Sequence, residues 1–283
     1  MMRRFKQVDV FTTTPFKGNP LAVVLDAEGL STEQMQAIAR WTNLSETTFV
    51  LPATDTNADY RVRIFTTQEE FPFAGHPTLG TAHALLEAGL KAKTPGVLVQ
   101  ECGVGLVTVR IADDGGLAFR APSARLDAMD SELLPLLRKT LGSPALDDAH
   151  PPVVANMGIC WLVVRLETAA DCLAVIPDAL ALDELMRRTA SNGVAVYAPH
   201  PAGGPADYEV RALFLENGIQ IEDPVTGSAN ACIARLLPPE DYRARQGTAL
   251  GRDGRVTVRY LDGEPWIGGH SVTVIDGTLA SGD

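Results

Sequence analysis

Apolar and polar positions alternate with two different periods along the chain. Phe5-Lys6-Gln7-Val8-Asp9-Val10-Phe11 alternates residue by residue and predicts a half-buried strand. Leu21-Ala22-Val23-Val24-Leu25 and Trp161-Leu162-Val163-Val164 are short apolar runs of strand type. Ser31 to Trp41 instead follows the helical period, with Ser31 as cap and Met35, Ile38 and Ala39 as the apolar stripe. Leu182 to Thr189 is its counterpart further on. Strands are expected at Thr47–Leu51 and Val194–Tyr197, then at Tyr60–Phe65 and Tyr208–Phe214. Helices follow at about Pro77–Ala88 and Pro224–Leu236, and strands around Val107–Arg110 and Val256–Arg259 close the pattern. Strands predominate, with two helices in each half, which predicts an α+β architecture.

The elements come twice because the sequence does. Ala58-Asp59-Tyr60-Arg61-Val62-Arg63 returns as Ala206-Asp207-Tyr208-Glu209-Val210-Arg211, and Gly105-Leu106-Val107-Thr108-Val109-Arg110 as Gly254-Arg255-Val256-Thr257-Val258-Arg259. Between them, His76-Pro77-Thr78-Leu79-Gly80-Thr81-Ala82-His83-Ala84 lines up with Asp223-Pro224-Val225-Thr226-Gly227-Ser228-Ala229-Asn230-Ala231. Three matches in one order at nearly one offset, about half the chain, point to a duplicated domain rather than a solenoid. The expected division is 1–121 and 122–269, with residues near 270–283 returning to the first part. The connection is expected near Pro122–Pro152, which contains Gly142-Ser143-Pro144 and His150-Pro151-Pro152.

Composition narrows the function. The chain has 283 residues, 46% hydrophobic, enough for one large domain or two ordinary ones. Its 24 basic and 35 acidic residues give a net charge of −11 without a basic cluster, which argues against nucleic acid or an anionic membrane as partner. No apolar run approaches the ~20 residues of a membrane span. The basic Met1-Met2-Arg3-Arg4 leads into an alternating strand rather than a signal-peptide core. Cys102, Cys160, Cys172 and Cys232 lack Cys-x-x-Cys spacing, so a zinc site or disulfide framework is not expected and a cytoplasmic setting is.

The candidate chemistry lies where the copies differ. Helix starts present free N–H groups suited to a carboxylate, and Gly75, Gly80 and Gly227 permit close backbone approach. If the halves are related by a pseudo-twofold axis, their helix starts can face one cleft. Position 76 is His and its counterpart 223 is Asp. Asp223 followed by Pro224 also fits a helix N-cap with proline in the first turn. His76 is a poor cap, which favours a functional pair. Glu46 has Gly193 as its counterpart; it reads either as a solvated acid or as an acid–base group beside His76 and Asp223. His83 and His270 read as structural, Cys102 and Cys232 as core thiols. No Walker, Rossmann, His-Glu-x-x-His or Gly-x-Ser-x-Gly motif occurs.

Several blocks resemble one family. They are Gly18-Asn19-Pro20-Leu21-Ala22-Val23, Asn43-Leu44-Ser45-Glu46-Thr47-Thr48-Phe49-Val50, Ile64-Phe65-Thr66-Thr67, and Phe73-Ala74-Gly75-His76-Pro77-Thr78-Leu79-Gly80-Thr81-Ala82. Glu222-Asp223-Pro224-Val225-Thr226-Gly227-Ser228-Ala229, Gln246-Gly247 and Gly251-Arg252 complete the set. The chain resembles the PhzF-like phenazine-biosynthesis family of the diaminopimelate epimerase-like superfamily. The resemblance implies two similar pseudo-twofold-related domains, each a mixed sheet rolled around a central helix, with the active site between them. It implies a homodimer and no cofactor; a metal is not expected because no metal-binding motif occurs. Ser271-Val272-Thr273-Val274-Ile275 fits the strand that returns to the first domain. Glu46 would shuttle the proton, and His76, Asp223 and Ser45 would hold or polarise the substrate. Gly75, Gly227 and Ser228 would bind its carboxylate. Superfamily racemases use two cysteines, and this chain has no thiol at either loop.

The expected function is therefore a cofactor-independent isomerase acting on a small carboxylate-bearing, amino- or hydroxy-substituted metabolite, resembling the phenazine-pathway dihydro-hydroxyanthranilate isomerase. The tract Asn156–Trp161 and the loop Gln68–Pro72 depart from that enzyme's pattern, which leaves the substrate open. For the shuttle role, Glu46 needs a pKa raised by burial. The alternatives are a small-acid binding protein on the same fold, and a structural module in which the three residues are caps and surface charges.

Overall fold

The computed structural model describes residues 1–142, 145–216 and 218–281. Ser143 and Pro144 of the expected connection, and the 282–283 end of the expected returning segment, lie outside the described residues. The chain divides into two compact units, Met1–Arg120 with Gly268–Asp283, and Ala121–Ile267.

Unit 1 begins with β1 (Met2–Val10), β2 (Asn19–Val24), α1 (Thr32–Thr42), β3 (Thr47–Leu51), β4 (Tyr60–Phe65) and β5 (Glu70–Phe71). It continues with α2 (Gly75–Glu87), β6 (Val97–Cys102), β7 (Gly105–Ile111) and β8 (Leu117–Arg120). Antiparallel pairs join β1 to β2, β3 to β4, β6 to β7 and β7 to β8. β2–β3 and β4–β6 are parallel, and such pairs need crossover connections. α1 supplies the first, α2 the second. Ser31 caps α1 with a complete capping box, and the helix turns Met35 and Ala39 onto a core of Val24, Ala27, Leu30, Phe49 and Phe65. Its other face is solvated. α2 has no polar face: all residues from Gly75 to Ala82 are buried, and it packs on β1, β2, β3, β7 and β8. It is the central helix of its sheet.

Unit 2 runs β9 (Arg125–Ala128), α3 (Leu134–Leu141), β10 (Val153–Asn156), β11 (Cys160–Arg165), α4 (Ala169–Ala174), α5 (Ala179–Thr189) and β12 (Gly193–Pro199). Then come β13 (Tyr208–Glu216), β14 (Ile219–Asp223), α6 (Gly227–Ala234), β15 (Tyr242–Gln246) and β16 (Gly254–Leu261). The pairing follows unit 1: β11–β12 and β13–β15 are parallel, β12–β13 and β15–β16 antiparallel. Registers correspond as well. Thr47 faces Phe65 in unit 1, and Val194 faces Leu213 in unit 2. α6 is buried at Gly227 and throughout Ala229–Ala234.

β17 (Glu264–Gly269) carries the chain back to unit 1, where β18 (Ser271–Ala280) pairs antiparallel with β1 from Met2↔Ala280 to Val10↔Ser271.

Two expectations change. The segment 122–152 is not a bare connection: it contains β9 and α3, because Leu133, Leu137 and Leu141 recur at helical spacing and pack against Leu162, Val164 and Leu182. With α4 and α5, unit 2 therefore holds more than two helices. The helix expected from Pro224 begins only at Gly227, with Thr226 in the cap position.

Candidate active site

In unit 1, α1 is capped at its C-terminus by Asn43 in a left-handed conformation, and four residues, 43–46, carry the chain into β3. Thr42 and Thr47 close this turn through their hydroxyls, 2.9 Å apart. Thr81 of α2 donates to Thr48 at 2.8 Å, tying β3 to the central helix. Ser45 is exposed on the turn, and Glu46 is the last residue before β3, its side chain 14% exposed.

Gly75 is the first residue of α2 and His76 the second, behind Ala74 at the cap. His76 thus sits in the first helical turn rather than at the cap. Buried Gln100 fixes that turn: it accepts from Tyr60 and donates to Thr78, whose hydroxyl donates to the Ala74 carbonyl. The structure brings Glu46 Oε2 to 3.5 Å from His76 Nε2. Burial pushes the His76 pKa down to about 3, so the ring is neutral at pH 7 and the contact is not an ion pair. Buried Nε2 has no hydrogen-bond partner among the described residues. Such an atom costs about 1–3 kcal/mol unless a ligand or solvent meets it.

In unit 2, Asp223 is not an N-cap. It is the last residue of β14, half-buried, and accepts from the Thr226 hydroxyl. A tertiary contact overrides the local capping preference. Gln246, fully buried, accepts from Thr226 N and Asn230 Nδ2 at 3.0 Å each, and donates to Asp223 O at 3.1 Å and Thr226 Oγ1 at 2.8 Å. Gly247 follows with φ +89°, and a Cβ there would stand 2.6 Å from the Pro224 carbonyl. Gly227 and Ser228 are the first two residues of α6, Gly227 buried and Ser228 half-buried. Ser228 Oγ accepts from the Trp161 indole at 3.0 Å.

The position equivalent to Glu46 has the opposite character. A Cβ on Gly193 would lie 2.5 Å from Trp161 Cζ3 and 2.7 Å from the Leu213 carbonyl. The indole fills this place, leaving no room for a side chain.

Sequence reasoning missed Gln100, Trp161 and the bracing role of Gln246. The two glutamines do not occupy equivalent places: Gln100 pairs with Tyr60, whereas Tyr208, the repeat counterpart of Tyr60, pairs with Ala244, and Gln246 pairs with Val210. The signal for Trp161 is its parallel pairing with Gly193. Burial raises the pKa of Cys160, Cys172 and Cys232 (Cys232 to about 12) and of half-buried Cys102, which lies at a hairpin rather than in the core. No cluster of three metal-ligating side chains occurs among the described residues.

The family model described as phenazine biosynthesis-like protein matches residues 8–277. The chain belongs to this family. Among its relatives, antisense-enhancing sequence 1 of Schizosaccharomyces pombe is 34% identical over 96% of this chain and 97% of its own. The trans-2,3-dihydro-3-hydroxyanthranilate isomerase of Pseudomonas aeruginosa is also 34% identical, over 91% of this chain and 90% of its own. The crystal structure of a Bacillus anthracis PhzF-family phenazine biosynthesis protein superposes with a TM-score of 0.85 at 25% identity, covering 99% and 100% of the two chains.

Proposed function

We propose that this protein is a cofactor-independent isomerase that moves a proton within a small carboxylate-bearing, amino- or hydroxy-substituted metabolite. The observation that carries this reading is the buried, unpartnered Nε2 of His76 beside the Glu46 carboxylate. In the proposed reaction the Glu46 carboxylate takes a proton from a substrate carbon. The double-bond electrons shift, and the same carboxyl returns the proton to another carbon, so atoms and charge balance. Neutral His76 holds or polarises the substrate, with Ser45 and Asp223, while Gly75, Gly227 and Ser228 hold its carboxylate, as the family resemblance implies. The filled place at Gly193 supports one shuttle rather than two opposed bases. The raised thiol pKa values argue against cysteine bases. The relative named trans-2,3-dihydro-3-hydroxyanthranilate isomerase makes that acid the first substrate to try. A homodimer in a reducing cytoplasm completes the reading; the dimer rests on the resemblance, and the four free cysteines support the compartment.

The test is turnover of that acid and of related amino- and hydroxy-acids in deuterated water, followed by mass spectrometry. Isomerisation, with deuterium entering at a ring carbon to the extent that the shuttled proton exchanges, supports the proposal. Tight binding with neither isomerisation nor exchange, across acids that bind, would make the protein a binding protein on the same fold.

A further inference from the structure

Nothing in the proposed reaction uses Trp161, the second residue of β11. Its side chain is buried, yet its N–H is not spent on the backbone. It points 3.0 Å to the hydroxyl of Ser228, the second residue of α6. We infer that Trp161 is a positioning residue that makes Ser228 a hydrogen-bond donor and so selects for a carboxylate. This rests on the reading of Gly227 and Ser228 as carboxylate holders.

The chemistry is one of donor inventory. A serine hydroxyl carries one proton and two acceptor lone pairs, whereas an indole N–H can only donate. With Trp161 on one lone pair, the Ser228 proton must turn away from the ring. It meets no acceptor among the described residues, so it is available to a ligand. A carboxylate needs donors only. A carboxamide presents its own N–H groups and gains less from a site arranged in this way. The ring is held in turn by the absence of a side chain at Gly193: any Cβ there would press on Cζ3 and swing the indole off Ser228.

The test compares anthranilate with anthranilamide by titration calorimetry on the full chain. The wild-type protein should prefer the acid. Trp161→Phe keeps the ring and deletes the N–H; it should weaken anthranilate about five- to tenfold, the range of one hydrogen bond, and change anthranilamide less than twofold. Ser228→Ala should cost anthranilate at least as much, and the double variant no more than Ser228→Ala alone. Equal losses for both probes, or losses that multiply in the double variant, overturn the inference and leave the isomerase reading intact. A wild-type protein without preference for the acid overturns the carboxylate-holder reading itself, and this inference with it. Should Trp161→Phe not fold, the wild-type indole ¹⁵N–¹H resonance of Trp161, assigned with Trp41→Phe and Trp266→Phe, gives the answer. It should move with anthranilate and stay with anthranilamide; a resonance unmoved by anthranilate rejects the inference.

Discussion

The burial of His76 makes stability depend on pH. The folded protein keeps His76 neutral down to about 3, whereas the unfolded chain protonates it near 6.5. Between these values the unfolded state binds the extra proton, so stability falls as pH drops through the window, by at most ~1.4 kcal/mol per unit. Urea unfolding of His76→Gln should therefore show a shallower pH slope between 6.5 and 4 than the wild type. For the same reason the rate–pH profile should contain no limb from His76 between pH 5 and 8. Glu46→Gln keeps size and hydrogen-bonding capacity but removes the titrating proton; turnover should fall about 10²–10⁴-fold while ligand affinity holds or improves. Asp223→Asn should weaken binding and turnover together. These candidates stand out in the sequence because the repeat sets unlike side chains at like positions. Trp161 was not legible, since its role depends on a partner 67 positions away.

At the scale of elements, helix starts are set by tertiary contacts as much as by local signals. Ser31 followed by Gln34 announced α1, and the capping box is present. Asp223-Pro224 announced a helix that begins later, because Gln246 holds residues 223–226 in a turn. No local pattern carries that bond. Gln246→Leu strands the Thr226 N–H and the Asn230 side chain of one partner, and should cost about 1–3 kcal/mol in urea unfolding. It should also weaken ligand binding through Asp223. Gln246→Glu retains the two accepted bonds and should lose less affinity. α3 escaped notice for a different reason: its leucines sit among prolines and glycine that read as turn, and only packing on Leu162 and Val164 shows their period.

Across the whole molecule, the repeated order of strands and helices was readable from three short sequence matches, and the paired registers of the two units agree with it. Among the described residues no helix is long and apolar enough to cross a membrane. The four cysteines are free. Their raised pKa values lead to a clear outcome: alkylation of accessible thiols should leave turnover intact in a protein whose fold is unchanged by circular dichroism. Loss of activity there would reinstate a thiol mechanism.

The strand order also sets a timetable for synthesis. β18 completes the unit 1 sheet against β1, and Lys6 of β1, which also pairs with Glu87 of α2, gains its second carboxylate partner, Asp276, only there. Unit 2 is continuous in sequence and is translated in between. At ~5–20 residues per second, its roughly 150 residues keep the ribosome occupied for about eight to thirty seconds. Throughout that interval the nascent N-terminal sheet carries an unpaired edge, open to chaperones and to mispairing with neighbouring chains. The half of the protein made first is thus the half finished last, and chains stalled before residue 271 should be captured by chaperones through β1.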